Sequence, residues 1–185
     1  MNILIDKLPT EYNGLKINTN FRSFILFELL MQDKDFTQEE KVLMSLNLFY
    51  TGEIKDIKGA MDGILWFYTG GIEDKNDKKQ GNNSNKKRIY SYEYDAEYIF
   101  SAFLDQYGVD LNEIDYLHWW KFKAMFKSLK NDNKIVEIMG YRAVDISKIK
   151  NKDEQNKYKK LQIEYALPDN RTEAEKERDF ANSLW

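Results

Sequence analysis

The stretch DLNEIDYLHWWKFKAMFKSLK, residues 110–130, decides how the rest of the chain is read. Asp110 followed by Glu113 has the spacing of a helix-capping pair, and Leu111, Ile114, His118, Phe122, Met125, Phe126 and Leu129 recur on one helical face. Consecutive helical residues point about 100° apart, so Trp119 and Trp120 extend the apolar surface around much of the circumference. An element apolar on several sides must be buried on several sides. The spacing therefore predicts one helix over 111–130 at the centre of a mainly α-helical protein, with Trp119 and Phe122 in its core.

Working towards the N-terminus, Ser91–Gly108 carries Tyr94, Tyr98, Ile99, Ala102, Phe103 and Tyr107 at helical spacing, with Gly108 as its terminator. Residues 70–88 are Gly, Asn, Asp, Lys and Ser with almost nothing apolar, the composition of a solvated linker or insert. Before it, a helix is expected over about 54–68, with Ile57, Ala60, Met61, Ile64, Leu65 and Tyr68 inward and Gly70-Gly71 as its stop. Thr37 and Glu40 form a capping box for a helix that runs to the stop at Gly52. A first helix follows Asn20 and ends near Asp33. Asn13-Gly14 marks a hairpin over about 10–18. Towards the C-terminus, short helices are expected near 134–139 and 145–149. A Lys-rich helix over 151–166 follows, closed by Leu167-Pro168, and a last one from Thr172 to Trp185.

The expected fold class is mainly α, about six to eight helices with a small N-terminal β-hairpin. Residues 1–69 form the hairpin and three helices, 70–89 the polar linker or insert, and 90–185 a C-terminal helical part packed with the first as one domain. At 185 residues the chain has room for one domain or at most two small ones, and 42% hydrophobic residues can offset the entropy of ordering it. The 28 basic residues nearly balance 31 acidic ones, so no overall field draws a polyanion. The absence of cysteine excludes disulfides and thiolate chemistry and suits a reducing cytoplasm. The first residues lack the pattern of a secretory signal, and the apolar run 64–68 is far short of the ~20 residues of a membrane span.

Candidate chemistry is sparse. His118, the only histidine, has Asp115 three residues before it, but nothing completes a metal site, and packing beside Trp119 is the expected role. The carboxylates Glu93, Asp95, Glu97, Asp105, Asp110, Glu113 and Asp115, with no Lys or Arg from 91 to 120, read as a solvated acidic face suited to a basic partner. Arg142, Lys148, Lys150, Lys152, Lys157, Lys159 and Lys160 form a basic patch. It lacks the interleaved aromatics of a single-strand binder and the arginines of a base reader, which disfavours nucleic acid as a partner. Gly59 and Gly63 permit a close approach to one helix. No phosphate-cradling glycine loop or nucleophile elbow is present. The expectation is no catalytic residue, no cofactor and no metal. Phe180, Leu184 and Trp185, sparse apolar residues in the last helix, are the candidate partner-binding residues.

Three stretches carry a family resemblance: Ile17-Asn18-Thr19-Asn20-Phe21-Arg22, Asp110-Leu111 to Ile114, and Leu117-His118-Trp119-Trp120-Lys121-Phe122. With Gly140-Tyr141-Arg142 to Asp145-Ile146 and the Lys-rich helix after it, the chain resembles the phage "gene product fifteen" family of tailed phages and prophages of Gram-positive bacteria. The resemblance implies a protein of the tail module, whose genes usually lie between those of the tail tube and the tape measure protein. It further implies a tail assembly chaperone that holds the tape measure protein in the host bacterial cytoplasm and is absent from the finished particle. The alternatives are a structural tail or connector component retained in the virion and, less favoured, a nucleic-acid-binding regulator. Other tail proteins or a second copy of the chain are further possible partners.

Overall fold

A computed structural model describes residues 2–71 and 88–168. The expected helix over Thr172–Trp185, with Phe180, Leu184 and Trp185, and most of the polar insert lie outside the described residues. Strands β1 (Glu11–Tyr12) and β2 (Leu15–Lys16) pair antiparallel, Glu11 opposite Lys16 and Tyr12 opposite Leu15. Asn13 and Gly14 both take positive φ, 49° and 79°, the backbone of the two-residue turn that Asn-Gly favours.

Helix α1 spans Phe21–Gln32, capped by the Asn20 side chain, which accepts from the Arg22 N–H. Helix α2 is Gln38–Phe49. Its capping box is complete, Thr37 accepting from the Glu40 N–H and the Glu40 carboxylate accepting from the Thr37 N–H at 2.8 Å. Helix α3, Ile57–Thr69, starts later than the apolar pattern suggested, because Asp56 caps it through the Gly59 N–H. Gly70, at φ 89°, ends it. Its buried strip is Ala60, Gly63, Ile64 and Phe67, so Ile57 and Leu65, expected inward, are instead about half exposed. The helix is rotated to bring Gly63 under two tyrosines. A Cβ at Gly63 would lie 2.8 Å from Tyr50 Oη and 3.1 Å from Tyr12 Cδ1, and that hydroxyl is held by donating to the Ala60 carbonyl.

This contact sets a testable balance. Alanine gains ~1 kcal/mol of helix propensity over glycine, whereas overpacking costs ~1–3 kcal/mol. With a tethered hydroxyl in the way, overpacking should win at Gly63, and Gly63→Ala should lose ~1 kcal/mol in urea unfolding. Gly140→Ala is the control. A Cβ at Gly140 meets nothing within 4 Å, so that variant should gain up to ~1 kcal/mol.

Helix α4 is Ala96–Tyr107, shorter than the expected Ser91–Gly108. The Asp95 carboxylate takes the Ser91 N–H at 2.8 Å and so closes a turn ahead of the helix. Tyr94 and Tyr98 consequently face outward, while Ile99, Ala102 and Phe103 are buried.

The largest departure is at the centre. Helix α5 is only Trp119–Lys127, and 110–118 is not its N-terminal half. Asp110 caps a single turn, accepting from the Asn112 and Glu113 N–H groups, after which the chain extends. Residues 115–119 pair instead with 19–21. The Phe21 N–H donates to the Leu117 carbonyl, the Trp119 N–H to the Thr19 carbonyl, and the Thr19 and Tyr116 hydroxyls lie 2.7 Å apart. Backbone hydrogen bonds from almost a hundred residues away thus replace the local helical ones. His118, not Asp110, is the N-cap of α5, its Nδ1 accepting from the Trp120 N–H at 3.1 Å.

Helix α6 is Lys134–Ala143, longer than expected, followed by a 3-10 turn at Ile146–Lys148 and helix α7, Lys152–Glu164, capped by Asn151. Short as it is, α5 remains the hub, packing on α1, α3 and α4. Phe122, fully buried, stacks with Phe21 and Phe103 at 5.0 Å and with Trp119 at 5.6 Å; Trp119 in turn stacks on Phe24 at 5.1 Å. Such pairs add ~0.5–1.5 kcal/mol each beyond burial. Among the described residues, no helix is long and apolar enough to cross a membrane.

Candidate functional site

Of the residues that suggested chemistry, His118, Asp95 and Arg142 are buried and employed in holding the fold. His118 Nδ1 caps α5, and Nε2 lies 3.0 Å from the Pro9 carbonyl, a pairing that places the ring proton on Nε2. Its ring packs edge-on to Trp120 at 5.6 Å, not beside Trp119 as the sequence suggested. The exposed Asp115 meets α1 through its backbone carbonyl, which accepts from Asn20 Nδ2.

Burial holds His118 below the ordinary histidine value; the hydrogen bond to Pro9 opposes the shift and Lys121 adds to it. A depressed folded-state pKa contributes stability that is present above the unfolded value of about 6.5 and lost as pH falls through the folded one. Protonation also removes the Nδ1 lone pair that caps the helix. The wild type should therefore lose more stability than His118→Asn, whose amide oxygen can still cap, between about pH 7.5 and about pH 5. Urea midpoints for the two proteins at both pH values measure this, and parallel losses would show that the ring binds its proton equally well in the folded and unfolded states.

Asp95 and Arg142 require correction together. Read as parts of a solvated acidic face and of a basic patch, they are buried against each other, with side chains 2% and 6% exposed. Arg142 Nη1 meets Asp95 Oδ2 at 2.6 Å and Nη2 meets Oδ1 at 2.9 Å, while the same guanidinium donates to the Ile89 and Tyr165 carbonyls. The planar fork of arginine matches a carboxylate in this way, and the spare donors satisfy backbone acceptors. Arg142 thus clamps α6 to residues 89–95 and to the end of α7, and offers nothing to an external partner.

The rest of the basic patch is on the surface. Lys148 pairs with Asp145 at 3.3 Å, and Lys150, Lys152, Lys157, Lys159 and Lys160 are exposed. Helix α7, which carries most of them, buries no residue fully and is tied down by polar contacts. Gln162 Nε2 donates to the Tyr141 and Val144 carbonyls, Gln155 Nε2 to that of Ile149.

A second polar cluster joins α1, α3 and the segment after the insert. Glu28 accepts from the Tyr68 hydroxyl at 2.9 Å and from Gln32, which Arg88 contacts from the far side of the insert. Burial raises the Glu28 pKa against the pull of the Tyr68 hydrogen bond. Lys123, whose ammonium burial shifts downward, donates to the Tyr68 carbonyl at 2.7 Å.

What the sequence did not reveal is a cleft of about 670 Å³ where the end of α1, the 33–36 turn and residues 93–94 converge. Leu26, Leu29, Leu30, Phe36 and Tyr94 form its apolar lining, with Leu26 53% and Tyr94 46% exposed. Asp33, Asp35 and Glu93 lie at its rim with Lys34. Three segments build it, so no single stretch carried its signal. Its chemistry suits an apolar side chain flanked by cations.

Fold and surface together define a mainly helical, hairpin-led protein with an acid-rimmed apolar cleft and a basic helix held against α6 by polar contacts. The chain belongs to the Bacteriophage Gp15 protein family, whose model matches residues 4–167, and it is a bacteriophage protein. Among curated proteins and among solved structures, none matches it. Three of the family-like stretches are neighbours in space: Arg22 donates to the Leu111 and Asn112 carbonyls, and 19–21 pairs with 115–119.

Proposed function

We propose that the protein serves tail assembly in the host bacterial cytoplasm as a chaperone of the tape measure protein, holding it reversibly while the tail tube polymerises. The observation that carries this reading is the acid-rimmed apolar cleft on a member of this phage family. A helix laid against such a groove buries its apolar anchors and places its cations at the rim. Charged rims set encounter rate and specificity more than raw affinity, which suits a contact that must later be released. Phe180, Leu184 and Trp185, beyond the described residues, are a second contributor, as tryptophan is favoured at binding hot spots.

Co-expression with the tape measure protein of the same phage tests both surfaces. The intact chain should co-purify with it, and Leu26→Glu should weaken the complex while keeping the helical circular dichroism. Loss of the complex on deleting residues 179–185 would assign the C-terminal segment a share of the contact; full retention would remove it. No complex with the intact chain would end the chaperone reading. Mass spectrometry of purified particles should lack the protein, whereas its presence in stoichiometric amount would make it a structural tail component.

A further inference from the structure

Two exposed helix faces of this chain are chemically reciprocal. On α4, residues turned away from the core are Glu97, Tyr98, Ser101, Leu104 and Asp105, which fall within an arc of about 120° at helical spacing. Tyr98 and Leu104 there are 38% and 45% exposed, and neither Glu97 nor Asp105 has an ion-pair partner among the described residues. On α7, Lys152, Asn156, Lys159, Lys160 and Ile163 share an arc of about 100° opposite the side that meets α6. Ile163 is 77% exposed, and those three lysines likewise lack ion-pair partners among the described residues. The two helices are nearly the same length, 12 and 13 residues.

One face is therefore acidic around a tyrosine and a leucine; the other is basic around an isoleucine. We propose that α7 of one copy docks on the α4 face of the next, so that the protein associates with itself head to tail. Apolar residues meet in the middle of such a contact and the charges flank them. Because the two faces differ, the interface is heterologous, and each added copy leaves one free face of each kind. A serially associating protein can cover a partner much longer than itself. The contact does not involve the apolar lining of the cleft, so it stands whether or not the tape measure protein binds there.

Sedimentation of the full chain over a concentration series, at about 0.05 M and about 1 M salt, reads the contact, since exposed charge pairs are screened at the higher value. The mass should rise with concentration above the 22.1 kDa of one chain at low salt and fall back towards it at high salt. Glu97→Lys with Asp105→Lys should be monomeric, and so should Lys159→Glu with Lys160→Glu. Mixing the two double variants should restore association, because each then meets a face of opposite charge. All four positions are exposed, and unchanged circular dichroism verifies folding. A wild type that stays monomeric at low salt, association that survives either reversal, or a mixture that stays monomeric would overturn the proposal.

Discussion

Arg142→Ala is expected to cost ~3–5 kcal/mol of folding stability, the range for removing one partner of a buried ion pair. The loss comes less from the missing attraction than from what remains: Asp95, with its side chain 2% exposed, would keep, among the described residues, the Ser91 N–H as its one remaining donor. The Ile89 and Tyr165 carbonyls would also lose their donor, so the chain after the insert and the end of α7 would come loose together. Against a typical total of ~5–15 kcal/mol, that is a large share. Arg142→Lys should not rescue it, because an ammonium cannot bridge both carboxylate oxygens while also reaching two carbonyls. Urea unfolding of the three proteins measures the effect. A midpoint for Arg142→Ala matching the wild type would mean that water replaces the guanidinium without penalty.

Trp119→Ala should cost a similar ~3–5 kcal/mol and lower Tm by roughly 6–20 °C for a chain of this size. Trp119 is 2% exposed and lies between Phe24 and Phe122, so its loss opens a cavity at the junction of α1 and α5. Its indole N–H donates to the Tyr68 carbonyl, tying α5 to the end of α3. Trp119→Phe should cost less, since much of the stacking is kept and Lys123 still donates to that carbonyl. Thermal melts followed by far-ultraviolet circular dichroism rank the variants, and an unchanged Tm for the alanine variant would remove Trp119 from the core.

Features that depend on neighbours a few residues apart were legible in the chain before folding was considered. Asn13-Gly14 sets its own turn, Thr37 and Glu40 cap each other, Gly70 and Gly108 end their helices, and the apolar density around Trp119 and Phe122 required burial on several sides. The family resemblance was legible for the same reason, since its motifs are contiguous stretches. Where local preference met a distant competitor, long-range packing set the outcome. Residues 111–118 had helical spacing, yet their backbone pairs with 19–21. Asp95 and Arg142 each looked like surface charges because a sequence shows a residue's own polarity but not the partner 47 positions away that permits its burial. The cleft was invisible on the same ground: Leu26 lies on α1, Phe36 in the turn after it and Tyr94 beyond the insert, and only the packing of the chain turns their exposed sides towards one space.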